Sequence, residues 1–381
     1  MKKVLLYLAS NSPFYTNLYP SIKRGFEEAG CVVEGGPNLL ESEALLKKIE
    51  TFQPDFVFEM NRVKSEIENF PKNVIHVCWL VDFWGRRSEE LIGSDILYVW
   101  SMTWIEKFKE IGIQNVHYLA PATDAKIYEN NNRKKNHEFV FLGHMSKQWT
   151  NQELHRKIGR IGNQELFFKD ILSYVREYVL TPNMQKPLID ILKNYGIVLA
   201  DNLDKPLLYD IFSRAFRQIR REHFIDIFTN KVSIYGSKNW LLYDKYRNSY
   251  KGYIEKPQLL SAIIQSSKIL LHDHYDPHFR TFDAMACGTL VVTAKEKINM
   301  DSPWMKLGLI DKEDYISVDI NSKLSNKNDF LNQRYYKDII KNAQEKVLLK
   351  HLWVHRAEQI LHDVKGIEIF KDALIKGYSH E

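Results

Sequence analysis

The first third of the chain alternates short apolar runs with amphipathic segments of about ten residues. KVLLYLAS, CVVEGG, PDFVFEM, NVIHVCWL, SDILYVWS and NVHYLAP read as strands. YPSIKRGFEEAG, closed by Gly30, SEALLKKIETF and WIEKFKEIG have helical periodicity, and a short helix separates PDFVFEM from NVIHVCWL. Strands separated in this way do not pair as tight hairpins. They build βαβ units and a parallel sheet.

After NVHYLAP the periodicity stops. The polar run from Asn130 to Lys135 marks a link, taken as residues 123–136, between a first domain (1–122) and a second (137–350). EFVFLGH restarts the strand pattern. A helical stretch, about 149–228, then interrupts the alternation, which resumes with KVSIYGSKN, KPQLLSAIIQSS, KILLHDH, TFDAMACG and TLVVTAK. The C-terminal part is helical, with residues 351–381 taken as a closing helix. There are no repeats at solenoid periods. The fold class is α/β: two doubly wound domains facing a cleft, with a helical insert in the second.

A chain of 381 residues suits two domains, and 44% apolar residues supply their cores. The net charge of +5 is too mild to argue for nucleic acid. SRAFRQIRREH places Arg214, Arg217, Arg220 and Arg221 at helical spacing. This is a solvated face, or a contact for acidic lipid headgroups or an anionic acceptor. Cys31, Cys78 and Cys287 are far apart and form no CxxC, which fits a reducing compartment. The N-terminal apolar run is too short for a signal peptide or a membrane span. The location expected is the cytoplasm, with peripheral contact at the inner membrane face through the basic insert.

Doubly wound sheets bind ligands at the carboxyl ends of their strands. In the first domain this rule selects Asn11, Ser12, Glu59, Asn61, Asp82 and Ser101. In the second it selects Gly143 to Lys147, with His144 among them, then Gly236, Ser237 and Lys238, and the segment HDHYDPHFRTFDAMACG, His272 to Gly288. A Walker loop, a GxGxxG fingerprint and a GxSxG elbow are all missing, which argues against the commonest NTPase, dehydrogenase and hydrolase readings. A helix beginning near Arg280 and Thr281 offers unpaired N–H groups and a favourable dipole to a phosphate, and Arg280 adds a permanently charged fork. Asp283 in its first turn suits a ribose diol, or simply caps the helix.

His272, His274, Asp276 and His278 invite a metal reading. A zinc site needs four ligands in good geometry, and Pro277 turns the segment out of the sheet. The alternatives are a polar loop lining a ligand cleft and ordinary strand-end polarity.

SKILLHDHYDPHFRTFDAMACGTLVVT resembles the C-terminal signature of the CgeB-like glycosyltransferases, in which a strand leads through a loop to R-T-F-E-A-x-A-C-G. FVFLGHMS, VSIYGSKNW, WLVDFW, VHYLAPATDAKIY and HLWVHRAEQIL are similar to further motifs of that family, in the same order. The insert has no counterpart. Asp283 stands where the family has Glu, and Tyr275 stands where related retaining enzymes have a second Glu. The resemblance implies a GT-B fold, with the acceptor bound mainly by the first domain and the sugar nucleotide mainly by the second. It implies that no metal is required.

The function expected is transfer of a sugar from a nucleotide donor, a UDP- or GDP-sugar, to a hydroxyl of a glycan, lipid-linked or protein acceptor. Polysaccharide biosynthesis is the setting this suggests. Donor contacts are expected from Gly143, His144, Lys147, Gly236, Ser237, Lys238, Tyr253, His272, His274, Asp276 and the run His278, Phe279, Arg280, Thr281, Phe282, Asp283. Acceptor contacts are expected from Asn11, Ser12, Glu59 and Asn61. Arg280 would stabilise the leaving diphosphate, and Asp82 would be the base of an inverting reaction. His76, inside VIHVCW, reads as a core histidine. A sugar-nucleotide epimerase or hydrolase and a non-catalytic binding protein are the alternatives. The insert reads as an acceptor platform, a homodimer contact or a membrane-facing arm.

Overall fold

The computed structural model describes the chain apart from residues 84–85, 181–187, 229–230, 296–301, 321–332 and 378–381. Trp84, which ends the WLVDFW motif, lies outside the described residues.

The first domain runs β1 (Lys3–Tyr7), α1 (Pro13–Glu28), β2 (Val32–Gly36), α2 (Ser42–Phe52), β3 (Phe56–Met60), β4 (Ile75–Leu80), β5 (Ile96–Val99), α3 (Met102–Glu110) and β6 (Val116–Tyr118). Its sheet has the order β2-β1-β3-β4-β5-β6, every pair parallel. Alternate residues of β1 enter opposite cores. Val4 and Leu6 pack with Phe26, Phe58 and Trp79, while Leu5 and Tyr7 pack with Leu45 and Val57. Both faces are covered, which is why these strands read as continuous apolar runs.

The second domain opens with β7 (His137–Leu142). Next comes the insert: α4 (Asn151–Leu154), β8 (Lys157–Ile161), β9 (Gln164–Phe167), α5 (Phe168–Leu180), α6 (Leu188–Asn194), β10 (Ile197–Leu199), α7 (Lys205–Tyr209) and α8 (Ala215–Phe228). The main sheet continues with β11 (Val232–Tyr235), β12 (Tyr250–Gly252), α9 (Pro257–Gln265), β13 (Ser267–His272), α10 (Phe279–Ala286), β14 (Leu290–Ala294), α11 (Pro303–Lys306) and β15 (Ile316–Val318). Two helices close the chain, α12 (Gln333–Lys350) and α13 (Trp353–Gly377). The sheet order is β12-β11-β7-β13-β14-β15, again all parallel.

The insert is not purely helical. It holds a three-stranded antiparallel sheet, order β10-β8-β9. The β8–β9 turn is Gly162–Asn163, with Gly162 at φ +55°, a backbone state that glycine adopts without strain. Ile158, Phe168, Ile171, Leu192 and Ile211 give the insert its own core. Helix α8 joins two cores. Ala215 and Ile219 belong to that of the insert, and Phe224, Ile225 and Phe228 to that of the second domain.

Helix α13 returns to the first domain and packs on α1. Gly25 is the contact point: a Cβ there would lie 2.6 Å from the Trp353 backbone carbon. Lys2 pairs with Glu368 (2.5 Å), and the Tyr98 hydroxyl donates to Asp363 (2.5 Å). The two connections between the domains also touch. Thr123 N–H donates to the His351 carbonyl (3.1 Å), and Arg356 donates to the carbonyls of Ala120 (2.9 Å) and Pro121 (3.1 Å).

Candidate functional site

In each sheet the strand order reverses beside its first strand: between β1 and β3 in one, between β7 and β13 in the other. A doubly wound sheet opens a crevice at that point. In the second domain the loops after β7 and β13 flank it, and α10 starts there.

One cavity lies at this crevice. Gly143, His144, Gly236, Tyr253, His278, Phe279, Arg280 and Asp283 line it from the second domain. Phe14, Asn17 and Leu18 of α1 line it from the first, and Asp124 and Tyr128 from the link. Asn17 Nδ2 donates across the cleft to the Glu255 carbonyl (2.6 Å). The rings of His144 and Tyr253 stack with centroids 5.9 Å apart. Tyr253 is 51% exposed, which leaves surface for a flat ligand.

Side chains fix the loop that leads to the cavity; of its residues His278 lines the cavity, and His272, His274 and Asp276 do not. The Asp273 carbonyl accepts from Arg220 Nε (2.8 Å), that of His274 from Thr293 Oγ1 (2.8 Å), and that of Tyr275 from Trp304 Nε1 (2.7 Å). The Asp276 carbonyl accepts from His272 Nε2 (3.0 Å), and that of His278 from Thr281 Oγ1 (2.7 Å). Loop backbone held at this many points is preorganised. His272 is thus a strut of this loop. Burial lowers the pKa of His272 to about 4 and that of His274 to about 3, so both rings are neutral at pH 7. Burial and the nearby Arg280 push His278 well down too. Its Nδ1 has no hydrogen-bond partner among the described residues. No group of three or more His, Cys, Asp or Glu among the described residues could hold a metal ion.

Arg280 lies in the first turn of α10 and donates through Nη1 to the Leu142 carbonyl. Burial and the Arg221 charge lower its pKa to about 10, so it remains a cation at pH 7. Asp283 is held by Thr123, whose Oγ1 donates to Oδ1 (2.6 Å), and by Tyr128. Burial raises its pKa to about 8, against the pull of those hydrogen bonds and of Arg280. The folded chain therefore keeps a proton that the unfolded chain releases near pH 4. Stability attributable to this group is full below about pH 4 and falls until about pH 8. Asp283→Asn should flatten that fall, read as urea midpoints at pH 5 and pH 8. An unchanged difference between the two pH values would contradict the burial described.

Other candidates stand elsewhere. Lys147 and Lys238 are exposed and do not line the cavity. The Ser237 hydroxyl accepts from Met145 N–H (3.1 Å) and donates to its carbonyl (2.9 Å), tying the β11 end to the β7 loop. Thr281 and Phe282 are buried within α10, and Asp276 accepts from the Ser101 hydroxyl across the domains (2.7 Å). Asn11 and Ser12 are exposed just before α1.

Glu59 and Asn61 differ from the expectation of acceptor contacts. Glu59 has no exposed surface; it pairs with Arg62 and with His76 Nε2 (3.3 Å). Burial opposes its charge, but those two partners outweigh it and lower its pKa. Asn61 adopts φ +64°, and its Oδ1 accepts the N–H groups of Val81 (2.7 Å) and Asp82 (3.0 Å). Both residues brace the strand ends rather than face a ligand. Asp82 is exposed beside them and does not line the cavity.

The basic helix also departs from the expectation of a solvated or lipid-facing stripe. Arg214 pairs with Glu153 (3.2 Å) and Asp210 (3.3 Å), and Arg221 with Asp273 (2.8 Å). Arg220 holds the loop carbonyl already described, and Arg217 alone of the four is exposed. A buried carboxylate on a distant segment, Asp273, drew Arg221 inward. The contribution of α1 to the cavity is equally invisible in sequence, because it depends on how the domains face each other.

Residues 213–362 match a family described as glycosyl transferase-like. No curated protein matches the chain in sequence. Among solved structures, sucrose-phosphate synthase from Thermosynechococcus elongatus aligns over 97% of this chain and 100% of its own, with a TM-score of 0.51 at 10% identity. HepE from Anabaena, in complex with UDP and glucose, aligns over 96% of this chain and 100% of its own, with a TM-score of 0.51 at 15% identity. At such identities the likeness is one of fold. The chain has the GT-B architecture, two Rossmann-like domains facing a cleft.

Proposed function

We propose that this protein is a glycosyltransferase that moves a sugar from a nucleotide-sugar donor to an acceptor hydroxyl. One observation carries the reading. The start of α10 with Arg280, and the glycine-bearing strand ends at Gly143 and Gly236, converge on a single cavity faced by the first domain. The glycosyl transferase-like match over 213–362 contains α10 and the β11 strand end, and supports it.

In this reading the glycosidic bond to the donor phosphate breaks as the acceptor oxygen bonds to the anomeric carbon, and a nucleoside diphosphate leaves. Arg280 and the helix dipole neutralise the charge that develops on it, so no metal is required. Tyr253 and His144 offer a stacking surface for the base. The unpartnered Nδ1 of His278 offers the donor a hydrogen-bonding atom. Asp283 accepts from the ribose once it is released from Thr123. In an inverting reaction Asp82 takes the acceptor proton after the cleft closes over it; in a retaining one the donor phosphate takes it. The motif resemblance supports a CgeB-like enzyme with a glycan, lipid-linked or protein acceptor.

Three unbridged, buried cysteines favour a reducing compartment. No helix among the described residues is long and apolar enough to cross a membrane.

A thermal-shift screen of UDP-, GDP-, CMP- and dTDP-sugars tests the reading. One donor at about a hundredfold its Kd should raise the Tm by roughly 3 °C or more, with or without EDTA. No shift with any donor would remove the proposal, and a shift abolished by EDTA would remove its metal-independent form.

A further inference from the structure

Helix α8 reaches both loops that flank the crevice. Arg221 donates from Nε to Asp273 Oδ2 (2.8 Å) and from Nη2 to Oδ1 (3.4 Å), which grips the loop after β13. Its Nη1 donates to the His144 carbonyl, which grips the loop after β7. The guanidinium lies over the Phe141 ring, 5.4 Å from its centroid, and the residue is 9% exposed. Arg220 adds the bond to the Asp273 carbonyl. Gly143 leaves the Phe141 ring in place under the guanidinium, since a Cβ there would lie 2.6 Å from Phe141 Cε1.

Gly143 and His144 line the cavity, but Arg221 does not. It can act on a ligand through the two loops, or through its charge, which reaches Arg280; Arg221→Lys separates the two. A planar fork with several donors can hold two loops in one register, whereas an ammonium group cannot reproduce that geometry. The helix carrying the fork has its first half in the core of the insert and its second half in that of the domain.

We propose that Arg221 is a positioning residue for the donor, and that through it the insert sets the affinity of the nucleotide site. The inference rests on the donor reading of the cavity and adds a residue and a chain segment to it. Through α8 the insert is then a brace of the donor site.

The test compares Arg221→Lys, Arg221→Gln and the double variant Arg221→Gln/Asp273→Asn with Arg156→Gln. The double variant leaves no buried charge unpaired. Arg156 pairs with Asp210 inside the insert (2.5 Å), so its loss weakens the insert without touching either loop. The probe is whichever of UDP, GDP and dTDP stabilises the wild type most, and its Kd is measured by calorimetry. Turnover assays add donor KM and kcat.

All three Arg221 variants should bind the probe about tenfold more weakly, with donor KM rising in step and kcat changing by less than about threefold. Arg156→Gln should lower the Tm and leave Kd unchanged. Wild-type affinity in Arg221→Lys would overturn the proposal, because charge alone would suffice. Equal weakening in Arg156→Gln would also overturn it, because the insert would then act only through general stability. If no diphosphate binds the wild type, the donor reading itself fails and this inference falls with it.

Discussion

Under the proposed reading, Arg280→Ala should lower sugar transfer by about 10²- to 10³-fold, the usual loss when a preorganised donor to a developing anion is removed. Arg280 sits in the first turn of α10, where the helix already favours an anion, and it lines the cavity. Burial opposes the cation, the Asp273 charge favours it, and an incoming anion would favour it further. Its bond to the Leu142 carbonyl fixes the direction of the fork. Arg280→Lys keeps the charge and loses the fork, so it should retain more activity than alanine and less than the wild type. The measurement is kcat/KM for the donor identified by thermal shift. Alanine turnover within threefold of wild type would remove Arg280 from the phosphate site.

The second large effect comes from one methyl group. Gly236 N–H donates to the Gly252 carbonyl (3.0 Å), and Gly143 N–H donates to that of Tyr235 (2.9 Å). A Cβ on Gly236 would collide with the Gly143 carbonyl, 2.6 Å from its carbon and 3.2 Å from Trp240 Nε1. Backbone cannot rotate aside as a side chain can. The β7 and β11 ends must separate, and the bond from Trp240 Nε1 to the Gly143 carbonyl (2.8 Å) is lost inside the core. Overpacking with an unmade buried hydrogen bond costs roughly 3 kcal/mol, and the donor site deforms with it. Gly236→Ala should therefore lower the urea midpoint and abolish nucleotide binding. Gly366→Ala, where a Cβ meets nothing within 4 Å, should be neutral or mildly stabilising. Equal midpoints for the two variants would refute the close approach.

The parallel sheets were legible because a strand buried on both faces is an unbroken apolar run. The strand-end rule reached Gly143, Gly236 and Arg280 without any knowledge of their neighbours. It did not separate residues that face the crevice from those that brace it. Glu59 and Asn61 sit at strand ends too, but their partners, Arg62, His76 and the 81–82 backbone, come from the fold. The antiparallel sheet of the insert did have a local signal. Gly162–Asn163 joins two short alternating runs, a hairpin mark, but strong helical periodicity on both sides outweighed it. The burial of Arg221 had none, because Asp273 is far away in sequence.

The chain passes between the domains twice, and the passes lie shoulder to shoulder: Thr123 forms a bridge with Leu352. Covalent order and spatial order therefore disagree. Helix α13, last in the chain, completes the apolar face that α1 begins, with Trp353 and Val364 in one core with Phe26. Cutting at the link does not free two self-sufficient halves. A first half that folds alone must be built from two separate pieces of the gene, residues 1–122 and 353–377, with a new joint between them.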